Sequence, residues 1–168
     1  MLIVKDLSVK RLDKKIFENI NLSLPAGNIT ILKGSNGSGK TTLLKTILHI
    51  IEPSVGNIFW KGKLLKKNLY DFYNHVTYIA DTTSSLKKLT IKDNINIWKR
   101  FFMSNINNTQ IETALKTLKL DNYLDKKVGT LSFGEIKKLE FLRLIIENKK
   151  VWILDEPLSN LDDDSIEL

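Results

Sequence analysis

Residues 34–41 read Gly-Ser-Asn-Gly-Ser-Gly-Lys-Thr and constrain the chain more than any other stretch. They satisfy the pattern G-x-x-x-x-G-K-[ST]. The apolar run 28–33, Asn-Ile-Thr-Ile-Leu-Lys, precedes them, and a helical pattern over 41–50 follows. Strand, glycine loop and helix together give the pattern a mechanism. Gly34, Gly37 and Gly39 admit backbone conformations closed to other residues. Successive N–H groups from Gly34 through Ser35, Asn36, Gly37, Ser38 and Gly39 can therefore point inward at phosphate oxygens. A helix beginning near Lys40 adds the positive end of its dipole. Lys40 is then expected to reach the β- and γ-phosphates and the Thr41 hydroxyl to ligate Mg²⁺, with Thr42 beside them. The bland alternative is a glycine-rich turn next to a lysine, and the flanking strand and helix weigh against it.

At 168 residues the chain is long enough for one domain with a substantial core. With 42% hydrophobic and 27% charged residues its composition is that of an ordinary globular protein. No apolar run approaches the roughly 18 residues that span a bilayer, and no N-terminal signal pattern is present. The absence of cysteine excludes a disulfide framework and thiolate metal sites, and it fits a cytosolic setting. The net charge of +7 rests mainly on scattered lysines, including the pairs Lys14-Lys15, Lys66-Lys67, Lys87-Lys88 and Lys149-Lys150. Arginine is confined to Arg11, Arg100 and Arg143, so the chain lacks the arginine-rich surface of a nucleic-acid reader. The charge reads as solvated surface with some attraction to a membrane face, and no nucleic-acid partner is expected.

Strands are expected over 2–9 and 15–24, the second alternating Ile16, Ile20, Leu22 and Leu24 with polar neighbours. Pro25-Ala26-Gly27 turns the chain into the run 28–33. Residues 57–65 read as a short hairpin and 75–80 as a buried strand. Helical patterns follow over about 90–102 and 109–120, then a long helix over 134–148 and a strand over 151–154.

Two further stretches carry chemistry. Val151-Trp-Ile-Leu154 is an apolar strand ending in Asp155 and Glu156. A parallel strand buried on both faces reads as a continuous apolar run, and ligands collect at its carboxyl end. Asp155 there can hold Mg²⁺, and Glu156 can orient or deprotonate the water that attacks a γ-phosphate. Leu131-Ser-Phe-Gly-Glu135 opens the long helix, and Ser132 with Glu135 forms a capping box. Ser132 and Gly134 at that helix start also make a second anion site. One nucleotide needs only one such loop, so this site is expected to face a nucleotide held by another subunit.

The order phosphate loop, helical stretch, Leu-Ser-x-Gly, Asp-Glu-Pro and then Ser159-Asn-Leu-Asp162 resembles the ATP-binding cassette ATPases over nearly the whole chain. The resemblance implies an α/β fold: a P-loop NTPase core with a mainly parallel sheet, an N-terminal antiparallel β layer and an inserted helical subdomain. One domain is implied, with 1–80 and 137–168 forming the β layer and core and 81–136 the helical signature segment. It further implies ATP and Mg²⁺ as cofactors, with Lys40 and Glu156 as catalytic residues. Ser132 and Gly134 would act in trans across a head-to-tail dimer, and 159–162 would link the two sites. Separate transmembrane subunits would dock near 81–85, placing the chain peripherally on the cytoplasmic side of the inner membrane. The stretches Asn57-Ile-Phe-Trp-Lys-Gly62, Tyr78-Ile-Ala80, Leu89-Thr90 and Trp152-Ile-Leu-Asp-Glu-Pro157 are similar to the haem-exporter branch of the family, which serves cytochrome c maturation. Another exporter or importer subunit, a non-transport cassette ATPase and a nucleotide-holding module without turnover are the alternatives.

The sequence also departs from that family. Asp81 and Thr82 stand where a metal-sensing glutamine is expected, and Asp81 could still bind the metal. Arg11 takes the place of the adenine-stacking aromatic, and a planar guanidinium can stack on a base. Phe133 replaces a signature glycine. The switch histidine of the family would lie beyond Asp162, and neither His49 nor His75 stands in its place. The final strands and helix of the fold are accordingly expected to be missing from this chain.

Overall fold

Strand β1 (Leu2–Arg11) pairs antiparallel with β2 (Lys14–Leu24), from Leu2 opposite Leu24 to Arg11 opposite Lys14, where two strands are expected. Register shifts interrupt the pair, and Asp6 and Asn19 there take left-handed backbone (φ 50° and 53°), which Asp and Asn tolerate. The computed structural model describes residues 1–12, 14–159 and 161. Strand β3 (Val55–Trp60) lies on the other side of β1, and a two-residue turn leads into β4 (Lys63–Leu64). Lys61 and Gly62 in that turn both have positive φ, as a type I′ hairpin turn requires. The resulting sheet has the order β2-β1-β3-β4. Gly56 (φ 93°) is obligatory where β3 crosses the bulge of β1, because a Cβ there would fall 2.5 Å from the Asp6 carbonyl oxygen.

Helix α1 (Lys40–Ile47) begins at the end of the glycine loop and is shorter than the pattern over 41–50 suggests, since His49 already has φ 56°. A short helix α2 (Leu69–Tyr73) follows the hairpin and sets Phe72 edge-on to Trp60, ring centroids 5.5 Å apart. These elements and the four-stranded sheet form one compact unit, Met1–His75; a second begins at Val76.

The expected strand over 28–33 does not form. The stretch has no ladder partner among the described residues, and Ile29 is 92% exposed and Ile31 73%. Apolar alternation records a preference for a half-buried pleated surface, but a strand exists only when its N–H and C=O groups find a neighbouring strand.

In the second unit, β5 (Val76–Ile79) and β6 (Val151–Leu154) run parallel, with Val76 opposite Val151 and Ile79 opposite Leu154. Helices α3 (Ile91–Phe101), α4 (Asn108–Thr117) and α5 (Phe133–Glu147) each start in a capping box, at Thr90/Asp93, Asn107/Gln110 and Ser132/Glu135. Each box satisfies N–H groups that the first helical turn leaves unpaired. The three helices enclose a core that includes Ile91, Trp98, Leu115, Leu139, Leu142 and Ile146. Among the described residues no helix is long and apolar enough to cross a membrane. The expected lysine surface is present: Lys14, Lys15, Lys66, Lys67, Lys87 and Lys88 are all exposed.

Candidate functional site

The loop 34–39 is built around its lysine. Lys40 Nζ donates to the Gly34 carbonyl at 2.8 Å and to the Ser35 carbonyl at 3.0 Å, which holds the ammonium across the turn. Ser38 N–H donates to Ser35 O at 3.2 Å and closes the loop. Gly37 and Gly39 have φ 78° and 95°, and Gly39 is the N-cap of α1. A Cβ on Gly34 would meet Ser38 Oγ at 2.6 Å, and one on Gly39 would meet Ile16 Cγ2 at 3.0 Å. The glycines therefore make a tight, exposed cradle at a helix N-terminus with a fixed cation over it, which fits a polyphosphate. Thr41 and Thr42 occupy the first turn of α1, and the Thr42 carbonyl accepts from Thr46 Oγ1 at 2.7 Å.

In the second unit the chain leaves β6 at Asp155, whose N–H continues the parallel ladder by donating to Ile79 O at 2.9 Å. Asp155 is only 3% exposed, and its Oδ2 accepts from the Tyr78 hydroxyl at 3.3 Å. A buried carboxylate at the carboxyl end of a parallel strand suits a hard divalent cation such as Mg²⁺, which keeps most of its waters and takes one or two protein oxygens. Among the described residues no three His, Asp or Glu side chains converge as a complete metal cage. The next residue, Glu156, is exposed and has φ 48°. Left-handed backbone costs a non-glycine residue about 1 kcal/mol. Three donors to its carbonyl hold it there: Lys137 Nζ at 3.2 Å, Ser159 N at 3.2 Å and Ser159 Oγ at 2.8 Å. The strained turn thus presents the acidic Glu156 to solvent directly beside the buried carboxylate of Asp155.

Tyr78, which lies in one of the stretches similar to the haem-exporter branch, touches Asp155. Burial, then the charge of Asp155, pushes its phenol up to about 12 from 10. Because the folded value lies above the unfolded one, the associated stability is complete below pH 10 and is lost as the pH rises towards 12. In a tyrosinate absorbance titration, one of the four tyrosines should ionise near 12, and Tyr78→Phe should remove that step. Ionisation of all four near the ordinary value would contradict the Tyr78–Asp155 contact.

Ser132 caps α5: its Oγ accepts from Glu135 N at 3.2 Å, and its own N–H donates to Glu135 Oε2 at 2.6 Å. Phe133 at the first helical position is 79% exposed, and Gly134 follows it in the first turn. Asp81 is exposed just after β5, and Arg11 is exposed at the end of β1. Of the expected linking loop 159–162, Asn160 and Asp162 lie outside the described residues. The two histidines are used elsewhere. His49 lies just past α1, and His75 places Nδ1 2.7 Å from Asp71 O and Nε2 3.3 Å from Lys61 Nζ.

The polar face of α5 had no counterpart in the sequence reading. Lys137, Glu140, Arg143 and Glu147 recur at helical spacing and bond to β5, the loop after it and the turn after β6. Arg143 donates to Tyr78 O at 2.7 Å and the Thr77 hydroxyl to Glu147 at 2.5 Å. Their spacing of three, three and four residues places the charges on one side of the helix but does not say that this side is buried.

A profile of the ABC transporter family matches residues 17–159. The cytochrome c biogenesis ATP-binding export protein CcmA of Reclinomonas americana is 38% identical over 164 residues, covering 96% of this chain and 72% of that protein. Proteins of the same name from Aliivibrio fischeri and Legionella pneumophila strain Lens are 31% and 33% identical, over 100% and 99% of this chain and 82% of each relative. Among solved structures, an ABC transporter ATP-binding protein from Pyrococcus furiosus superimposes with a TM-score of 0.85 at 30% identity, over 99% of this chain and 80% of that one. An ATP-binding cassette solved as a dimer with ADP and Pi shares the fold, with a TM-score of 0.79 at 19% identity over 99% of this chain and 78% of its own. With the phosphate loop, the strand-end carboxylates and the capped Leu-Ser-x-Gly helix in family order, the chain belongs to the ATP-binding cassette transporter ATPases.

Proposed function

We propose that this chain is the MgATP-hydrolysing subunit of a membrane exporter that serves cytochrome c biogenesis, with haem as the cargo. The observation that carries the reading is the 38% identity to a cytochrome c biogenesis export protein over 96% of the chain. In this reading the amides of 34–39 and Lys40 bind the phosphates, and Arg11 stacks on the base. Thr41 and Asp155 serve as ligands of the Mg²⁺ that neutralises phosphate charge, and Asp81 is a further candidate ligand. Glu156 orients the attacking water, its strained turn held by Lys137 and Ser159. Ser132 and Gly134 serve the nucleotide of a second copy. Residues 81–136 act as the helical segment and 1–80 with 137–168 as the ATPase core. Separate transmembrane subunits dock near 81–85 on the cytoplasmic face of the membrane.

Deleting the gene from its host should abolish haem-stained c-type cytochromes. The wild-type chain supplied in trans should restore them, and Lys40→Ala should not. Unchanged cytochromes in the deletion strain would overturn the export assignment while leaving the ATPase assignment standing.

A further inference from the structure

The strongest unexplained feature is a carboxylate buried in the middle of α5. Glu140 is 3% exposed, and the three residues after Thr82 wrap around it. Its Oε1 accepts from Thr83 Oγ1 at 2.6 Å, Ser85 Oγ at 2.8 Å, Ser84 N at 2.9 Å and Ser85 N at 3.1 Å. Ser84 Oγ reaches Oε2 at 3.0 Å, and Arg143 Nε pairs with the same oxygen at 3.2 Å. Two amides, three hydroxyls and a guanidinium thus converge on one buried anion. Such a charge is tolerated inside a protein only when its partners are in place, and removing a partner is then severe. A loop that merely needed packing could have used an apolar side chain at far lower desolvation cost.

The placement of this cage suggests its use. Glu140 lies two turns, about 12 Å at 1.5 Å per residue, along α5 from its N-cap Ser132. Between them Lys137 reaches the carbonyl of Glu156. A helix moves as a rigid rod, so a loop fixed to its middle cannot shift without shifting its start. We propose that Glu140 is a positioning residue that locks loop 83–85 to α5, so that displacement of the loop and of the Ser132 end occur together. The inference rests on the reading of 81–85 as the docking loop and of Ser132 as a nucleotide contact, and it deepens that reading by naming the side chain that couples them.

Amide hydrogen exchange on the whole chain, with and without MgATP, tests this. Without nucleotide, Glu140→Ala should speed exchange at Ser84 and Ser85 by about tenfold or more, the scale expected for losing charge-assisted hydrogen bonds. Glu140→Gln should give partial protection, because an amide oxygen can replace Oε1 but not the pairing of Oε2 with Arg143. With MgATP, the wild type should change exchange at 83–85 and at the first turn of α5 together, and Glu140→Ala should lose the response at 83–85. Turnover, expressed per MgATP-binding site so that unfolded protein is not counted, should fall about tenfold with KM for MgATP held within about twofold. Thr83→Val with Ser85→Ala, which removes two hydroxyl donors and leaves the carboxylate, should show the same pattern more weakly even if Glu140→Ala folds poorly. Unchanged protection of Ser84 and Ser85 in Glu140→Ala and in the double variant, or a nucleotide response at 83–85 of wild-type size in both, would overturn the proposal. Failure of the wild type to bind MgATP would instead remove the nucleotide reading, and the nucleotide-free comparison would still judge the lock.

Discussion

Glu156→Gln is expected to leave MgATP bound and to stop its hydrolysis. The amide matches the carboxylate in shape but cannot accept a proton from the attacking water or orient it as an anion does. The backbone turn should persist, because Lys137 Nζ and Ser159 hold the Glu156 carbonyl and not its side chain. Loss of one such group in a preorganised site lowers turnover on the order of 10²–10³-fold. With hydrolysis blocked and the binding groups intact, MgATP should accumulate the dimeric form in size-exclusion chromatography. Continued hydrolysis with only monomer present would show that Glu156 is not the residue that activates water.

Lys40→Ala should act at the opposite step. Its ammonium is held by two carbonyls of the loop, Gly34 O and Ser35 O, so the cation is in place before phosphate arrives. Charge-assisted hydrogen bonds contribute about 1.5–3 kcal/mol each, so losing the lysine should weaken MgATP binding on the order of 10²-fold. Thermal unfolding reads this directly. At a ligand concentration about 100 times Kd, the wild type gains about 2.7 kcal/mol, and a 10²-fold rise in Kd would cut that to about 0.4 kcal/mol. An equal MgATP-induced rise in Tm for both proteins would remove Lys40 from the binding site.

Elements whose cues are local were legible in the sequence. The β1–β2 pair, the hairpin turned by Lys61-Gly62 and the Ser132/Glu135 capping box all depend on residues within a few positions of one another. The four family motifs were equally plain, since their chemistry needs particular residues in fixed order. Two features were not legible. Run 28–33 has a strand's composition, but composition does not name a partner, and the described structure leaves Ile29 and Ile31 in solvent. The polar side of α5 reads in one dimension as ordinary helix-surface charge. Only the fold shows that Glu140 and Arg143 face inward, because their partners, 83–85 and Tyr78, lie some sixty positions earlier in the chain. Tyr78 was hidden for the same reason: its contact with Asp155 spans two parallel strands that are distant in sequence.

The central claim, that residues 34–41 make this chain an ATP-binding cassette, is tested most directly by calorimetric titration of MgATP into the purified wild-type protein and into Lys40→Ala. Saturable binding of one MgATP per chain, with the heat lost in the variant, is the predicted result. No heat with the wild type, or the same isotherm for both proteins, would contradict it.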